Sequence, residues 1–260
     1  MIAAFCHVLR NHEPSEEDMP PLQYIRAIVL LLLMPPLTLL FSILAWTDAV
    51  LIRRSAAKVQ VYPRVWARLL CRLAGVRVRL TGMENLQPDR TYIYVGNHAS
   101  QFDIFSFQGH FPLDFRWVAK KELFRIPVFG PAMRRAGLIP IDRARGREAL
   151  KSLHQAAERI SAGTSVLIFP EGTRSTSGEL QPFKTGAISL ALKAGVPVVP
   201  VAFIGSHRIL PKGRLLADSG EIVIRVGKPI SISEYTNRDK QHLAGLLHDR
   251  VAELLAAVDH

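Results

Sequence analysis

Two side chains five residues apart, His98 and Asp103, have the types and the spacing to form a general base. An offset of five places two residues roughly 140° apart on a helix and on opposite faces of a strand. The two side chains can therefore meet only if the chain turns between them, with His98 on a loop and Asp103 in the first turn of a helix. There the aspartate would fix the histidine tautomer and stabilise its protonated form. A structural histidine that caps the helix is the alternative.

The sequence offers this base no obvious nucleophile of its own. No serine or cysteine stands in a strand-to-helix elbow of the G-x-S-x-G type. A base at His98 is therefore predicted to activate a hydroxyl group that the substrate itself brings.

Three polar segments each follow an apolar run that is predicted to be a strand: residues 97–103, 142–143 and 171–174. Ligands of parallel sheets bind outside the carboxyl ends of the strands, so the three segments are expected to meet at one edge. Each alone has a simpler interpretation, as a surface charge or as a turn with a local ion pair. Together they would place guanidinium groups and lysines beside the base, which predicts a substrate that carries a phosphate.

The order of strands and helices from residue 76 onward predicts the fold. The runs typical of strands are residues 76–81, 91–96, 115–119, 165–169, 196–203 and 221–226. Helical spacing occurs at residues 147–162, 185–194 and 238–258. This order indicates an α/β fold with a mixed, largely parallel sheet covered by helices. With 260 residues, 48% of them hydrophobic, the chain can form an N-terminal segment, residues 1–58, and one such domain, residues 59–260.

The N-terminal segment is predicted to enter a membrane. Residues 27–47 contain no charged side chain, and a run of this length just suffices to cross a hydrocarbon core ~30 Å thick. Pro35 and Pro36 stand in its middle, where neither can donate a backbone hydrogen bond. The segment is expected to be either a kinked span or two short helices that meet at a bend within one leaflet. A helix buried in a protein core is the alternative.

Basic residues dominate the segment that follows. The formal net charge of the chain is +11, and residues 49–83 hold eight lysines or arginines and no acidic residue. By the positive-inside tendency, this side of the membrane segment is cytoplasmic. Arg64, Arg68 and Arg72 recur at every fourth position and predict a helix whose basic stripe faces anionic headgroups, or else a solvated face. No nucleic-acid-binding motif accompanies the charge, so the predicted partner is an anionic membrane surface and not nucleic acid.

Four blocks of sequence, in this order, resemble the glycerolipid acyltransferase family and within it the bacterial 1-acyl-glycerol-3-phosphate acyltransferases. They are N-H-x4-D at residues 97–103, G-x3-I-D-R at residues 137–143, F-P-E-G-T-R-S at residues 169–175 and V-P-V-V-P-V at residues 196–201. The resemblance extends from residue 53 to residue 226. Pro140 stands where the family often has phenylalanine, which leaves the chemistry of Asp142 and Arg143 unaltered.

The resemblance implies a reaction and the residues that carry it out. His98 would take the proton of the free sn-2 hydroxyl group of 1-acyl-glycerol-3-phosphate, and Asp103 would orient His98. The oxygen would attack the thioester of acyl-CoA or of acyl carrier protein and give phosphatidate, with no metal ion and no cofactor beyond this co-substrate. The residues implied in binding the acceptor are Lys120, Arg143, Glu171, Gly172, Thr173 and Arg174, with Lys121 as a neighbour.

The same resemblance implies where the protein works. A long-chain lysophospholipid partitions into the bilayer, which accounts for the apolar segment and indicates the inner membrane, with the domain on the cytoplasmic side. The block ending at Val201 would shape the acyl-chain or donor site, or would be a core strand. The alternatives are an acyltransferase with another lyso-lipid acceptor, a hydrolase that uses water, and a non-catalytic protein that binds anionic membranes, whose function would survive His98→Ala.

Overall fold

The computed structural model describes residues 20–52, 55–142 and 147–257. Arg143, one of the residues expected to bind the acceptor, lies outside these ranges. Within them, seven strands form one sheet in the order β1-β7-β6-β2-β5-β3-β4. The strands are β1 Val76–Thr81, β2 Ile93–Gly96, β3 Arg116–Lys120, β4 Ile139–Ile141, β5 Val166–Ile168, β6 Val198–Ile204 and β7 Gly220–Val226. Neighbouring strands are parallel except β6 and β7, which confirms the predicted mixed, largely parallel sheet.

Helices cover both faces of the sheet, and one long helix precedes it. In chain order they are α1 Pro21–Thr47, α2 Ala56–Val59, α3 Val61–Leu73, α4 Phe102–His110, α5 Phe129–Arg135, α6 Arg147–Ser161, α7 Thr185–Ala194, α8 Ser206–Ile209 and α9 Lys240–Ala256. A π-helical turn, Asp48–Ile52, extends α1, and short 3-10 helices lie at Met83–Asn85, Lys121–Arg125 and Asn237–Asp239. The glycine- and proline-containing segment around residue 130 thus forms a helix, α5.

The direction of the strands decides which loops share an edge of the sheet. β2, β3, β4, β5 and β6 run in one direction, whereas β7 and its parallel neighbour β1 run in the opposite one. The loops that follow the first five of these strands therefore lie along the same edge. Each of the polar segments that were predicted to converge follows one of these five strands.

The central strand β2 is buried on both faces, as expected for a parallel strand between two layers of helices. Tyr92 and Tyr94 pack in a layer with α3 and the phenylalanines of α4, and Ile93 and Val95 pack in a second layer with α6, α7 and α9. β6 lies beside β2 and is buried along almost its whole length. Of the two interpretations of the V-P-V-V-P-V block, the structure therefore shows the core strand.

The predicted membrane segment forms a single continuous helix, α1, which passes through Pro35 and Pro36 without interruption. One side of α1 packs on α3 and α5 and buries Ala27, Leu30 and Ala45. Many other apolar side chains are exposed, among them Leu22, Ile25, Leu32, Leu39, Leu40, Leu51 and Ile52. Among the described residues, α1 with its π-helical turn is long and apolar enough to cross a membrane by length and composition. It is neither a core helix nor a pair of short helices.

The arginines of the basic stripe on α3 form hydrogen bonds within the protein, in addition to the charge that they carry. Arg68 Nε donates a hydrogen bond of 2.5 Å to the carbonyl of Gly109, and Arg64 donates one of 3.5 Å to the carbonyl of Pro112. Gly109 lies in the last turn of α4, where the helix dipole favours a cation, and Pro112 follows two residues after the helix ends. Two of the three arginines therefore form hydrogen bonds that connect α3 to the end of α4 and the residues after it. The spacing of the arginines did not predict these contacts.

Candidate active site

The loop between β2 and α4 brings His98 and Asp103 together. β2 ends two residues before His98 and α4 begins one residue before Asp103, so the predicted turn is present. His98 Nδ1 lies 2.9 Å from Asp103 Oδ2. The same oxygen accepts the backbone N–H groups of Ala99 and Ser100, each at 2.8 Å, and the Asp103 side chain is fully buried. Asp103 therefore closes the turn and also holds the imidazole ring.

The imidazole ring of His98 is fixed in one orientation and one tautomer. An ionised carboxylate can only accept hydrogen bonds, so Nδ1 carries the hydrogen and Nε2 keeps its lone pair. The ring stacks on Phe169, with centroids 3.9 Å apart and planes at 7° to each other. Nε2 is thus the nitrogen that is left to take a proton from a substrate.

The backbone of His98 is held by the turn that follows β5. Its N–H donates a hydrogen bond of 2.7 Å to Glu171 Oε1, and its carbonyl accepts the N–H of Ser175 at 2.8 Å. Glu171 is only 2% exposed. The structure therefore gives the Glu171 carboxylate a contact with the backbone of His98, whereas the resemblance implied a contact with the acceptor.

Glu171 has an unusual acidity for a glutamate. Burial raises the pKa of its carboxyl group to about 7, and the nearby Asp103 carboxylate adds to the increase. The backbone N–H groups of His98 and Gln181 act in the opposite direction. A group that changes its charge near neutral pH therefore contacts the loop that carries His98. Carboxyl groups of this kind are frequent at functional sites.

Gly172 and Thr173 lie next to two lysines that the sequence did not mark as site residues. Gly172 has a φ of 77°, which L side chains rarely adopt, and a β-carbon there would lie 2.8 Å from Lys184 Nζ. Lys212 Nζ lies 3.3 Å from Thr173 Oγ1. Both lysines stand outside the four sequence blocks. Lys212 could have been found from the sequence, because it lies in the segment after β6, and that segment lies at the same edge of the sheet as the site.

A cavity of about 460 Å³ lies between His98 and α1. One border of the cavity includes the polar side chains of His98, Lys120, Thr173 and Arg174, with Gly172 beside them. The rest is largely apolar, and its larger side chains include Phe41, Trp66, Ile104, Trp117, Phe129 and Met133. Ligand pockets typically combine such an apolar body with a few convergent polar groups.

The cationic residues predicted for the site differ in their contacts. Arg174 forms no hydrogen bond or ion pair with any residue that the structure describes, and Lys120 Nζ lies 3.8 Å from Glu122 Oε2. Lys121 instead forms a close ion pair with Asp142, at the end of β4. Lys120 and Arg174 therefore present their charges to the cavity, whereas Lys121 holds the loop that leads to Arg143.

A chain of hydrogen bonds supports the wall of the cavity. Trp117 Nε1 donates to Gln108 Oε1 at 2.7 Å, and Gln108 Nε2 donates to Gln60 Oε1 at 3.2 Å. Gln60 Nε2 donates in turn to the carbonyl of Ala136 at 2.7 Å. A satisfied polar network of this kind makes a buried wall rigid. Sequence reasoning missed it, because these residues come from four separate elements and form no motif.

Known proteins are similar to this chain in sequence and in fold. A family model described as Acyltransferase matches residues 77–204, from β1 to the end of β6. A Haemophilus influenzae protein named 1-acyl-sn-glycerol-3-phosphate acyltransferase is 33% identical over 195 residues, which are 75% of this chain and 80% of that protein. The chloroplastic 1-acyl-sn-glycerol-3-phosphate acyltransferase BAT2 of Brassica napus is 35% identical over 211 residues, 79% of this chain and 58% of that protein.

A solved structure is similar as well. The 1-acyl-sn-glycerophosphate acyltransferase PlsC of Thermotoga maritima is 26% identical, with a TM-score of 0.68 over 92% of this chain and 100% of that chain. The chain spans 58% of the Brassica protein and 54% of its chloroplastic relative from Arabidopsis thaliana, somewhat more than half of each. The match to the bacterial relative covers most of both proteins. This chain belongs to the 1-acyl-sn-glycerol-3-phosphate acyltransferase family.

Proposed function

We propose that the protein transfers an acyl group from an acyl thioester to the free sn-2 hydroxyl group of 1-acyl-glycerol-3-phosphate, which gives phosphatidate. The observation that carries the proposal is the 2.9 Å contact between His98 Nδ1 and Asp103 Oδ2, in a base that borders an apolar cavity together with Lys120 and Arg174. Relatives named for this acceptor, at 33 and 35% identity, support it.

His98 acts as the general base. The hydroxyl proton of the acceptor moves to Nε2 while the hydroxyl oxygen forms a bond to the carbonyl carbon of the thioester. The tetrahedral intermediate then collapses, the carbon–sulfur bond breaks, and the proton on Nε2 passes to the departing thiolate. Asp103 stabilises the imidazolium that exists between the two proton transfers. No acyl-enzyme forms, because the substrate itself supplies the nucleophile.

Lys120 and Arg174 bind the phosphate group of the acceptor. The Arg174 guanidinium can hold two phosphate oxygens at once, and the Lys120 ammonium adds a point charge. The backbone at Gly172 and the hydroxyl group of Thr173 lie at the same border of the cavity, and the resemblance assigns Arg143 to the same phosphate. Glu171 acts through the loop of the base, since its buried carboxylate does not border the cavity.

The apolar part of the cavity takes acyl chain, and the exposed apolar residues of α1 hold the protein in a membrane. The eight basic residues between positions 49 and 83 support a location of the domain on the cytoplasmic side of the inner membrane. The donor is acyl-CoA or acyl carrier protein, whose phosphate groups are attracted by a net charge of +11. No metal ion and no further cofactor takes part.

The test uses membranes that carry the wild-type protein or His98→Ala. Each preparation receives 1-acyl-glycerol-3-phosphate with a long-chain acyl-CoA or, in parallel, with the acyl carrier protein, and phosphatidate is measured by mass spectrometry. We expect product from the wild type and none above background from the variant. His154→Ala is the matched control, because this exposed histidine lies on α6 and contacts only Glu158, at 3.6 Å, among the described carboxylates.

Two results would contradict the proposal. The absence of phosphatidate with both donors would reject this acceptor, and the same membranes would then be supplied with other lysophospholipids and lyso-aminolipids. Equal product from wild type and His98→Ala would reject His98 as the general base.

A further inference from the structure

An exposed apolar loop lies between β3 and α5. Leu123, Ile126 and Val128 are 40, 44 and 37% exposed, whereas Phe124 between them is buried and anchors the loop. We refer to the three exposed residues as the apolar loop cluster. Single exposed apolar residues are common, but a contiguous group of aliphatic side chains marks a surface that contacts a partner or a membrane.

The backbone presents the cluster in a strained conformation. Val128 has a φ of 62° and a ψ of −55°, and the N–H of Phe129 donates a hydrogen bond of 2.7 Å to the carbonyl of Pro127. This is a γ-turn with positive φ, which is rare and strained for a β-branched residue. Gly130 lies so close to the backbone of Phe124 that a β-carbon would be 2.3 Å from its carbonyl oxygen. Strain that the surroundings enforce in this way is typical of functional positions.

The cluster lies close to α1. The helix that follows the loop, α5, packs on α1. Leu123 also lines the cavity together with Phe41 and Ala45 of α1. The cavity therefore lies between two exposed apolar surfaces, and a bilayer that covers one of them is within reach of the other.

Three exposed arginines lie in the loop or in the helix that follows it. Arg125 lies within the loop, and Arg134 and Arg135 are exposed at the end of α5. The acidic residue of the loop, Glu122, has its carboxylate 3.8 Å from the Lys120 ammonium. Aliphatic side chains interspersed with arginines suit the boundary between the headgroups and the acyl chains of an anionic bilayer. An acidic protein would contact the arginines but would leave the aliphatic side chains beside α1 unexplained.

We propose that the apolar loop cluster is a second membrane contact, in which Leu123, Ile126 and Val128 enter the headgroup–acyl boundary of the leaflet that holds α1. Arg125 and the arginines of α5 contact the lipid phosphates. This inference rests on the membrane location given under the proposed function. Two contacts on opposite sides of the cavity hold its opening against the leaflet, so that a lysolipid passes between α1 and the loop.

The test measures the depth of single labelled positions in the full chain. Cys6 is replaced by serine, and Cys71 remains because burial raises the pKa of its thiol to about 12 and keeps it unreactive. Ile126→Cys and Val128→Cys carry an environment-sensitive nitrobenzoxadiazole label in vesicles of phosphatidylcholine and phosphatidylglycerol. Asp89→Cys is the control, since this exposed residue lies before β2, at the opposite edge of the sheet.

Labels at positions 126 and 128 are expected to emit at shorter wavelength than the label at position 89 and to be quenched by lipids that carry a nitroxide near the headgroup. The label at position 89 is expected to be quenched by iodide in the aqueous solution. Quenching by iodide at all three positions would overturn the proposal. Protection at positions 126 and 128 only after addition of acyl carrier protein would overturn it too, because the loop would then be a protein-binding surface. These readouts do not depend on the activity, so they remain decisive if the proposed reaction fails.

A functional measurement supplements the depth measurement. The double variant Ile126→Asp, Val128→Asp should lose activity roughly tenfold on vesicles relative to detergent micelles, because two charges disfavour insertion. Neither residue borders the cavity, so the activity in micelles should stay near that of the wild type. An equal loss in vesicles and micelles would contradict a membrane role.

Discussion

The backbone N–H of His98 donates a hydrogen bond of 2.7 Å to the buried carboxylate of Glu171, 73 residues later in the chain. The bond connects the loop after β2 to the turn after β5, and these two strands are parallel neighbours. Asp103 holds the imidazole ring of the same residue. Two carboxylates therefore hold His98, one at its backbone and one at its ring.

Replacement of Glu171 should affect turnover and leave acceptor binding largely intact. Glu171→Gln keeps a carbonyl oxygen that can accept the His98 N–H, so we expect kcat within a few-fold of the wild type. Glu171→Ala removes the oxygen that accepts this hydrogen bond and leaves the buried N–H of His98 unpaired. We therefore expect kcat to fall by about 10–100-fold, or 1–3 kcal/mol, with KM for the lysophospholipid nearly unchanged. A large increase of KM in Glu171→Gln would instead indicate direct contact with the substrate.

The raised pKa of Glu171 predicts a pH dependence of stability. Between pH 4.5, its ordinary pKa, and about pH 7 the folded protein keeps a proton that the unfolded chain has released. The stabilisation from this group is therefore fully present below pH 4.5 and is lost as the pH rises to about 7. Relative to Glu171→Gln, the wild type should lose roughly 3 kcal/mol of unfolding free energy across this range, measured by urea denaturation in micelles. Parallel curves for the two proteins would contradict the prediction.

Asp103→Asn should abolish most activity. One oxygen of Asp103 accepts three N–H groups, and an amide in its place favours the wrong tautomer of His98. By analogy with other histidine–aspartate pairs, kcat should fall by about 10⁴-fold. The fold, followed by circular dichroism, should persist at a stability lower by about 1–3 kcal/mol. Asp89→Asn, at the opposite edge, is the control, and full turnover in Asp103→Asn would refute the mechanism.

Arg174 should govern the affinity for the acceptor. Since its guanidinium has no partner among the described residues, Arg174→Ala should raise KM for 1-acyl-glycerol-3-phosphate by roughly 10–100-fold, with a smaller effect on kcat. Arg174→Lys should recover part of the loss, because a point charge replaces a bidentate contact. Lys228→Ala, an exposed lysine after β7, provides the control for loss of charge. If Lys228→Ala raised KM as much as Arg174→Ala, the change would be due to the overall electrostatic field of the protein and not to a contact of Arg174 with the phosphate.

Two glycines allow a matched test of the turn after β5. Gly172→Ala introduces a β-carbon at a φ of 77° and close to the Lys184 side chain, so the protein should lose about 1 kcal/mol of unfolding free energy or more. Gly186, in the first turn of α7, has open space around it and an ordinary φ. Gly186→Ala should therefore be neutral or should stabilise the protein by about 0.5–1 kcal/mol. Thermal unfolding of the two variants would give the comparison, and destabilisation of both to the same extent would reject a special role for Gly172.

Much of the site was predictable because it depends on strand ends. The offset of five between His98 and Asp103 required a turn, and parallel strands required the polar loops to share an edge. The positions of Lys120 and Arg174 at the cavity follow from that edge. The contact of Glu171 was not predictable, since spacing along a chain does not indicate whether a carboxylate points into a cavity or beneath a neighbouring loop.

Other features arise only from packing between distant segments. Pro35 and Pro36 were expected either to kink one span or to separate two short helices. The structure excludes the second form, since α1 continues through both prolines and packs on α3 and α5. The γ-turn at Val128 has no glycine or asparagine to indicate a positive φ. The strained conformation is enforced by neighbours such as Gly130, whose closeness to Phe124 the local sequence does not reveal.

Pro35 and Pro36 have a further consequence for the bilayer. Neither can donate a backbone hydrogen bond, so the carbonyl groups of Leu31 and Leu32 lose the donors that follow four residues later. Unpaired carbonyl groups are costly in hydrocarbon, and we expect α1 to lie shallow enough for water to reach them. A helix of 27 residues at that depth, about 40 Å long, would expand one leaflet relative to the other. We expect insertion of this kind, into one leaflet only, to bend the membrane locally.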